Sequence, residues 1–280
     1  MAVRAVIPRR TAGIKKAPAA GRAGLEIAGF RLNFKSDRPG IITILKARYA
    51  RFASAGGAGY EFEVFEAPGR HNPFKPAVSF DGRSLEIKRG DFESVLDLRA
   101  GTGTLKAVPT EQCLDAFLRS LLSFLLLRSG GFMLHSAGLV REGKAYLFLG
   151  KSGAGKSTLS KLAAAAGVEV VSDEINLLRF ENGCFRAYGS PFWGEMRADG
   201  RPGSWPLGGI YLLGKAKANR LIPCSGGEAL RLLLRCLVNF DDRPGAAGNI
   251  MKNAVRLLRK ARFSRLKFSK ADGGFVSLVI

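Results

Sequence analysis

A short glycine-rich segment, GKSGAGKS at residues 150–157, constrains this chain more than any other stretch of it. The segment follows an apolar run and matches G-x-x-x-x-G-K-S, the pattern of a phosphate-binding P-loop. Glycines allow consecutive backbone N–H groups to turn toward one anion, and the N-terminal end of the next helix adds a positive dipole. The pattern therefore predicts a strand, a loop and a helix in succession, with a nucleotide phosphate bound between them.

The residue types within the loop have separate tasks. Lys156 would reach the β- and γ-phosphates of ATP, and the Ser157 hydroxyl would help to hold Mg²⁺. A Gly/Ser/Lys-rich surface loop is the alternative, but the helix-forming run after the motif favours nucleotide binding. The predicted nucleotide-binding residues are Gly150, Lys151, Ser152, Gly153, Ala154, Gly155, Lys156, Ser157 and Thr158.

Composition places the chain among globular proteins, because 46% of its 280 residues are hydrophobic and 24% are charged. The longest strongly apolar segment, residues 114–127, contains Asp115 and Arg119 and is too short to cross a bilayer. The basic N-terminus lacks the apolar core of a secretory signal, and the scattered cysteines indicate neither a disulfide framework nor a zinc site. We therefore expect a cytoplasmic protein without a membrane span.

A net charge of +21 is the strongest compositional bias. Residues 1–22 carry six Lys/Arg and residues 252–270 carry eight, with no acidic residue in either segment. Such a surplus attracts nucleic acid, an acidic peptide or a nucleotide. Because no recognisable nucleic-acid module accompanies it, we favour an acidic peptide or a nucleotide and do not expect nucleic acid as the partner.

Periodicity divides the chain into three parts. Residues 1–22 lack periodicity and are rich in Pro, Gly, Ala and positive charge, which predicts a disordered basic tail. Residues 23–109 contain short apolar alternations broken by turn residues, with 41–49 as one such run, and predict a β-rich, mostly antiparallel region. A helix that is capped by Thr110 and is apolar nearly all round opens the third part, the P-loop domain at residues 110–280.

A hairpin is predicted just before the P-loop, with arms at FMLHSAGLV and AYLFLG. If a two-residue turn joins the arms, Val140 faces Ala145, and counting down the ladder puts His135 opposite Gly150. An imidazole beside the phosphate loop would be placed to assist catalysis. The alternative is a histidine packed at a strand end with a satisfied hydrogen bond, and the pattern does not decide between the two.

An apolar strand at residues 168–171 follows the predicted P-loop helix and leads to Asp173 and Glu174. A carboxylate at the end of a strand beside the P-loop strand commonly holds Mg²⁺ or orients the attacking oxygen. Asp173 and Ser157 are therefore the predicted metal ligands, and Glu174 could share the catalytic work. If the strand continues through them, alternation would aim the two carboxylates to opposite sides, and a carboxylate that only caps or solvates a turn is the alternative.

A Gly/Pro-rich loop at residues 190–206 carries aromatic residues and arginines. Long loops in compact domains are often functional, so this loop is predicted to be a lid or an acceptor-binding loop. Either Arg197 or Arg201 would then help to neutralise the transferred phosphate. In the alternative interpretation, the aromatic side chains only anchor the loop to the core.

Three segments together resemble the HPr kinase/phosphorylase family: LHSAGLV at residues 134–140, LGKSGAGKSTL at 149–159 and VVSDE at 170–174. The resemblance implies an α/β fold with a mixed sheet, of the type that this family shares with phosphoenolpyruvate carboxykinase. It also implies an ATP-dependent Ser/Thr kinase that uses Mg²⁺, with His135 before the P-loop and an acidic pair after it.

A looser resemblance, at GSPFWGE (residues 189–195), is to HPr-kinase-like proteins that accompany modified-peptide biosynthesis. The acidic pair here is Asp-Glu, whereas the family has Asp-Asp. No counterpart of the family's EIRGLG segment is present either. The resemblance therefore extends to the reaction class and does not extend to HPr itself as the acceptor.

Taken together, these features predict a kinase that transfers phosphate from ATP to a Ser or Thr hydroxyl of a peptide or small protein, with Mg²⁺ as cofactor. Asp173 is expected to orient or deprotonate the acceptor hydroxyl, with His135 assisting, and Lys156 is expected to offset the developing charge. Glu174 completes the set of expected catalytic residues. Two alternatives stay open, namely a non-catalytic ATP-binding regulatory module and, with weaker support, a basic nucleic-acid-associated ATPase. Whether the chain forms a homo-oligomer is also left open by its sequence.

Overall fold

Two mixed β-sheets form the frame of this mixed α/β protein, and helices pack between and against them. The computed structural model describes residues 21–70, 72, 74–197, 200–271 and 273–279. In these parts of the chain, no helix is both long and apolar enough to cross a membrane. Of the predicted basic tail, residues 1–20 lie outside the described residues, whereas Gly21 and Arg22 begin the first strand.

The N-terminal sheet contains seven strands, which are β1 (Gly21–Ile27), β2 (Phe30–Ser36), β3 (Tyr60–Glu66), β4 (Ala77–Phe80), β5 (Ser84–Arg89), β6 (Phe92–Asp97) and β7 (Thr102–Ala107). Their spatial order is β1-β2-β3-β7-β6-β5-β4. β3 runs parallel to β2 and β7, and the remaining neighbours are antiparallel, so this region is mostly antiparallel as predicted. Burial alternates along most of these strands, which places one apolar face against the core.

Residues 41–49, predicted as part of the β region, are instead mostly helical. Residues 41–48 belong to helix α1 (Pro39–Arg48), and Tyr49 is its C-cap. Pro39 suits the start of a helix because the first N–H groups have no partner there. The buried residues of α1 recur at helical spacing and are Ile41, Ile42, Leu45 and Arg48. The strand prediction was wrong because β-branched residues favour strands locally, while packing of this apolar face decides the structure.

Helix α2 (Glu111–Arg128) lies between the sheets and is buried along most of its length. Thr110 caps it as predicted, because its side-chain oxygen accepts a hydrogen bond from the Cys113 backbone N–H at 3.3 Å. The apolar side chains of α2 join those of the N-terminal sheet in one core, which also includes Met133 and Ile175 of the second sheet. The two sheets therefore share a core through this helix.

The second sheet contains eight strands, which are β8 (Phe132–Arg141), β9 (Lys144–Leu149), β10 (Glu169–Ser172), β11 (Ile175–Glu181), β12 (Cys184–Tyr188), β13 (Ser204–Lys215), β14 (Arg220–Pro223) and β15 (Phe263–Phe268). Residues 138–140 of β8 pair with both β9 and β10, so β8 separates these two strands. The expectation that the acidic pair follows an immediate neighbour of the P-loop strand is therefore wrong. β13 runs parallel to both β9 and β15, which brings their C-terminal ends to one edge.

Three further helices cover this sheet, and they are α3 (Lys156–Ala165), α4 (Gly226–Cys236) and α5 (Pro244–Lys260). Leu159 and Ala163 of α3 pack with β8 and β9 in one cluster. Leu233 of α4 and Leu257 of α5 belong to a different cluster, with other residues of the same strands. The P-loop strand therefore lies between two apolar layers, which hold it firmly at the point where it leads into the loop.

Candidate functional site

The hairpin before the P-loop has the predicted register. Glu142 and Gly143 form its turn with φ of 49° and 71°, the left-handed pair that a type I′ turn requires. Val140 lies opposite Ala145, and the ladder continues to the last residue of β9. His135 and Gly150 are the next residues beyond the last pair of this ladder, which joins Ser136 and Leu149.

The P-loop turns tightly between β9 and α3. Gly153 and Gly155 have φ of 73° and 103°, a region that favours glycine. A Cβ on Gly155 would lie 2.9 Å from Cε1 of Phe268, so both conformation and space require glycine there. Gly155 is also the N-cap of α3, so the loop leads directly into the positive end of a helix.

Lys156 is the first residue of α3 and is buried, with only 7% of its surface exposed. Its Nζ donates a hydrogen bond to the Gly150 carbonyl at 2.9 Å, across the loop. Burial lowers the pKa of Lys156, and the nearby Cys236 thiol and Glu174 carboxylate oppose that shift. The ammonium group is therefore held inside the loop and interacts with a carboxylate from another element.

His135 belongs to the same electrostatic cluster. Burial is the main cause that lowers its pKa, and the Lys156 charge lowers it further. The Arg119 charge acts in the same direction, whereas the Glu174 side chain and backbone oppose the shift. Because its pKa lies below the ordinary value of 6.5, His135 is neutral at pH 7, with one ring nitrogen donating and the other accepting.

Asp173, the first of the two predicted carboxylates, is buried and bound to the loop after β12. Its Oδ1 and Oδ2 accept hydrogen bonds from the backbone N–H groups of Gly194 at 3.1 Å and Met196 at 3.0 Å. A Cβ on Gly194 would lie 2.7 Å from either oxygen, so glycine permits this close approach. Asp173 therefore anchors the loop.

Glu174, the second carboxylate, interacts with Lys156 and His135. Its charge acts on the pKa of both groups and opposes the lowering of each. The Arg119 guanidinium donates to Glu174 Oε1 at 3.3 Å and holds it from the side of α2. Asp173 and Glu174 lie in the bend between β10 and β11, and there the two carboxylates take different partners.

Arg119 is a site residue that sequence reasoning did not identify. It pairs with Glu174 and with Asp115, the latter at 3.8 Å, and its guanidinium lies 5.0 Å from the ring centroid of Phe192. A usable signal existed, because Arg119 is the only cation in the apolar run at residues 114–127. A charge on a buried helix needs an oppositely charged partner, so Arg119 indicated a carboxylate elsewhere in the chain that packs against this helix.

The loop between β12 and β13 is also held by the N-terminal part of the chain. Arg48 of α1 donates to the Pro191 carbonyl at 2.7 Å, and its guanidinium lies 3.7 Å from the ring centroid of Trp193. Phe192, between them, is buried in the core that the two sheets share. Residues 191–193 are therefore held by α1 and the shared core, immediately before Gly194, the first residue whose amide binds Asp173.

The two arginines predicted to reach the phosphate lie elsewhere. Arg201 pairs with Glu169 at 2.7 Å, at the beginning of β10, and its guanidinium stacks on the Trp205 ring. Arg197 is exposed. The structure brings neither of them into the cluster around Lys156, and Arg119 supplies the guanidinium there.

A metal site can be assessed from the available donors. The described residues include no group of three or more His, Cys, Asp or Glu side chains placed to bind a metal ion. Mg²⁺ commonly takes only one or two carboxylates and completes its shell with water and substrate phosphates. Ser157, in the first turn of α3, carries a hydroxyl oxygen, and Asp173 carries carboxylate oxygens that each accept one backbone hydrogen bond, so both side chains are of the types that Mg²⁺ takes.

Comparison with known proteins gives a partial likeness. No protein-family model matches the sequence, and no curated protein matches it at a significant level. A structure of the Hpr(Ser) kinase/phosphatase from Coxiella burnetii aligns with this chain at 18% sequence identity and a TM-score of 0.24. The alignment covers 45% of this chain and 90% of that one. A TM-score this low supports no conclusion about activity.

Proposed function

We propose that this protein is an ATP-dependent kinase that transfers the γ-phosphoryl group to a Ser or Thr hydroxyl of a peptide or small protein. One observation carries the proposal. Lys156 is buried against the Gly150 carbonyl at the start of the P-loop helix, and the Glu174 carboxylate acts electrostatically on both Lys156 and His135. A P-loop alone supports phosphate binding, whereas transfer also needs a group that orients the nucleophile. The carboxylate and the neutral imidazole are groups of that kind.

The chemistry can be assigned to the residues of this cluster. P-loop N–H groups and the start of α3 would bind the phosphate chain, and Lys156 would offset charge on the transferring group. Glu174 would accept the proton of the acceptor hydroxyl as its oxygen bonds to the γ-phosphorus. The bond from that phosphorus to the bridging oxygen breaks, and ADP leaves with the electron pair. Arg119 would hold Glu174 in place, and His135 would hydrogen-bond the acceptor.

Asp173 has two tasks in this proposal. Ser157 and Asp173 would hold Mg²⁺, which would supply positive charge to offset the negative charge of the phosphates. Asp173 also anchors the loop that contains Gly194 and Met196, which lies beside the cluster and would contact the acceptor. A single buried carboxylate would thereby link the acceptor loop to the nucleotide end of the site.

Phosphate transfer from radiolabelled ATP to a serine-containing peptide tests the proposal. We expect Lys156→Ala to lower transfer by at least about 100-fold, because it removes charge stabilisation. Glu174→Gln should lower it by about 100- to 10,000-fold, because it removes the base. Lys144→Ala is the matched control, since Lys144 is exposed at the start of β9, and it should keep full activity. Undiminished transfer by a folded Lys156→Ala variant would exclude the proposal.

One observation favours a second function, a regulatory module that binds ATP without transferring phosphate. Both oxygens of Asp173 are engaged by backbone N–H groups of one loop, as in a structural anchor. Such a module would bind a fluorescent ATP analogue in a Lys156-dependent manner and would label no acceptor. A kinase would instead label the acceptor, and Glu174→Gln would stop transfer while changing ATP affinity by less than about twofold.

A further inference from the structure

A basic cleft lies beside the P-loop, on the part of its surface formed by residues 150–154. Its other walls are α4 and the C-terminal ends of β13 and β15. Ligands commonly bind where the C-terminal ends of parallel strands meet, as they do here. The volume is about 660 Å³, within the usual range of roughly 300–1,000 Å³ for a ligand site.

The side chains that line this cleft are predominantly positively charged. Six cationic side chains line it, and they are Lys151, Lys215, Arg231, Arg235, Arg265 and Lys267. The only acidic residue in its lining, Glu228, accepts hydrogen bonds from the Arg265 guanidinium and from the Ser225 backbone N–H. That backbone bond is the main cause holding the pKa of Glu228 below its usual range. The negative charge of Glu228 is thus already paired with Arg265.

The other five cations form no ion pair with any residue that the structure describes. Arg231 and Arg235 lie one turn apart on α4, and both are exposed on the side opposite the buried Leu233. Like charges at this spacing repel one another, and a bound anion would relieve that repulsion. Arg265 and Lys267 similarly alternate with buried residues along β15 and share one face.

We propose that this cleft binds the acidic segment of the acceptor, so that the kinase selects hydroxyls flanked by Asp or Glu; the inference rests on the function proposed above. The nucleotide phosphates already have Lys156, the loop amides and the start of α3. Lys151 belongs to the P-loop, whereas the other five cations of the cleft lie outside the loop on β13, α4 and β15, where they suit a second anion. No aromatic residue is among those described in the cleft lining, whereas single-stranded nucleic-acid sites use aromatic stacking.

Binding of a fluorescein-labelled peptide to the full chain tests the assignment without requiring turnover. The peptide contains one serine flanked by glutamates, and its matched partner has glutamines in their place. We expect the double variant Arg231→Glu/Arg235→Glu to bind the glutamate peptide at least about tenfold more weakly, because two attractive contacts become repulsive. Lys215→Glu/Lys267→Glu, on the strand side of the cleft, should give the same result independently.

The control is Lys252→Glu/Arg259→Glu, which makes the same change in net charge at two exposed positions of α5. It should keep peptide affinity within about twofold. Equal weakening by the control would overturn the assignment, because only net charge would then matter. A loss of ATP affinity without a loss of peptide affinity would also overturn it, as would preferential binding of an oligonucleotide.

The phosphorylation assay separates this inference from the kinase proposal. If the glutamate peptide binds in a cleft-dependent manner and is never phosphorylated, the acidic-segment site stands and the kinase proposal fails. If both peptides are phosphorylated equally and the cleft variants do not change KM, the kinase proposal stands and the acidic-segment site is wrong. The expected result is a lower KM for the glutamate peptide, raised at least about tenfold by either cleft variant.

Discussion

At the scale of single residues, His135 should determine how activity responds to acid. Its pKa lies below 6.5 because the side chain is buried and close to Lys156, so it stays neutral until the pH falls below that value. Once protonated, His135 would pair with Glu174 and withhold the carboxylate from the acceptor hydroxyl. We therefore expect kcat/KM to fall as the pH is lowered, with an apparent pKa below 6.5.

The His135→Gln variant provides the comparison for this profile. Glutamine keeps a hydrogen-bonding side chain and removes the titration, so the decline in kcat/KM should move to lower pH, where only carboxylates titrate. The measurement is kcat/KM for peptide phosphorylation across the acidic range, for both proteins. Identical profiles would show that His135 has no part in the pH response.

The strand, glycine-rich loop and helix around residues 150–157 could be predicted because the loop is a single contiguous motif, whereas phosphate binding there stays a prediction. The different partners of Asp173 and Glu174 could not be predicted from the sequence. They depend on which of the two carboxylates accepts hydrogen bonds from the amides of Gly194 and Met196. Those amides are about twenty residues away in the chain, and their position depends on a long loop. Arg119 was missed for the same reason, because its partner Glu174 lies on another element.

At the scale of elements, α1 should control how firmly the loop after β12 is held. The Arg48 guanidinium binds the Pro191 carbonyl and the Trp193 ring and lies 3.7 Å from Asp115. Arg48→Ala would leave a buried carbonyl without this donor, at a cost of about 1–3 kcal/mol. We expect faster amide hydrogen exchange at residues 191–197, which include the two amides that bind Asp173, and a higher KM for the peptide.

The control for this prediction is Lys46→Ala, because Lys46 is an exposed cation on the same helix. It should leave exchange at residues 191–197 and the KM unchanged. Arg48→Lys should restore little, since an ammonium cannot reproduce both the planar stacking and the hydrogen bond. Unchanged exchange in Arg48→Ala would show that the loop is held by Asp173 alone.

Elements with strong local signals were predicted best. The hairpin before the P-loop was predicted correctly because its turn needs two left-handed residues and Glu-Gly fits. Helix α1 was missed, because Ile41, Ile42 and Ile44 raise strand propensity and only packing against the sheet makes them helical. The position of β8 between β9 and β10 could not be predicted, because strand order depends on pairing between distant segments and not on the sequence of any one strand.

At the scale of the whole molecule, the boundary near residue 109 does not separate two cores. Rings of α2 pack into the N-terminal sheet, with Phe117 5.6 Å from Phe62 and 5.8 Å from Phe92. Phe124 likewise lies 5.4 Å from Phe80. Exposing a buried aromatic side chain costs about 1.5–3 kcal/mol, so two rings alone would cost about 3–6 kcal/mol. That is a large part of the roughly 5–15 kcal/mol that stabilises a typical domain.

We therefore expect residues 110–280 expressed alone to lack a cooperative thermal transition, although they contain the whole P-loop cluster. The full chain should unfold in one transition, because the shared core couples the two sheets. Circular dichroism and calorimetry measure both properties, and a chain of residues 21–280 serves as the control for shortening at the N-terminus. A fragment that melts sharply near the midpoint of the full chain would show that the second sheet has a sufficient core of its own. In that case the contacts of Arg48 with Pro191 and Trp193 would be the main link between the N-terminal part of the chain and the candidate site.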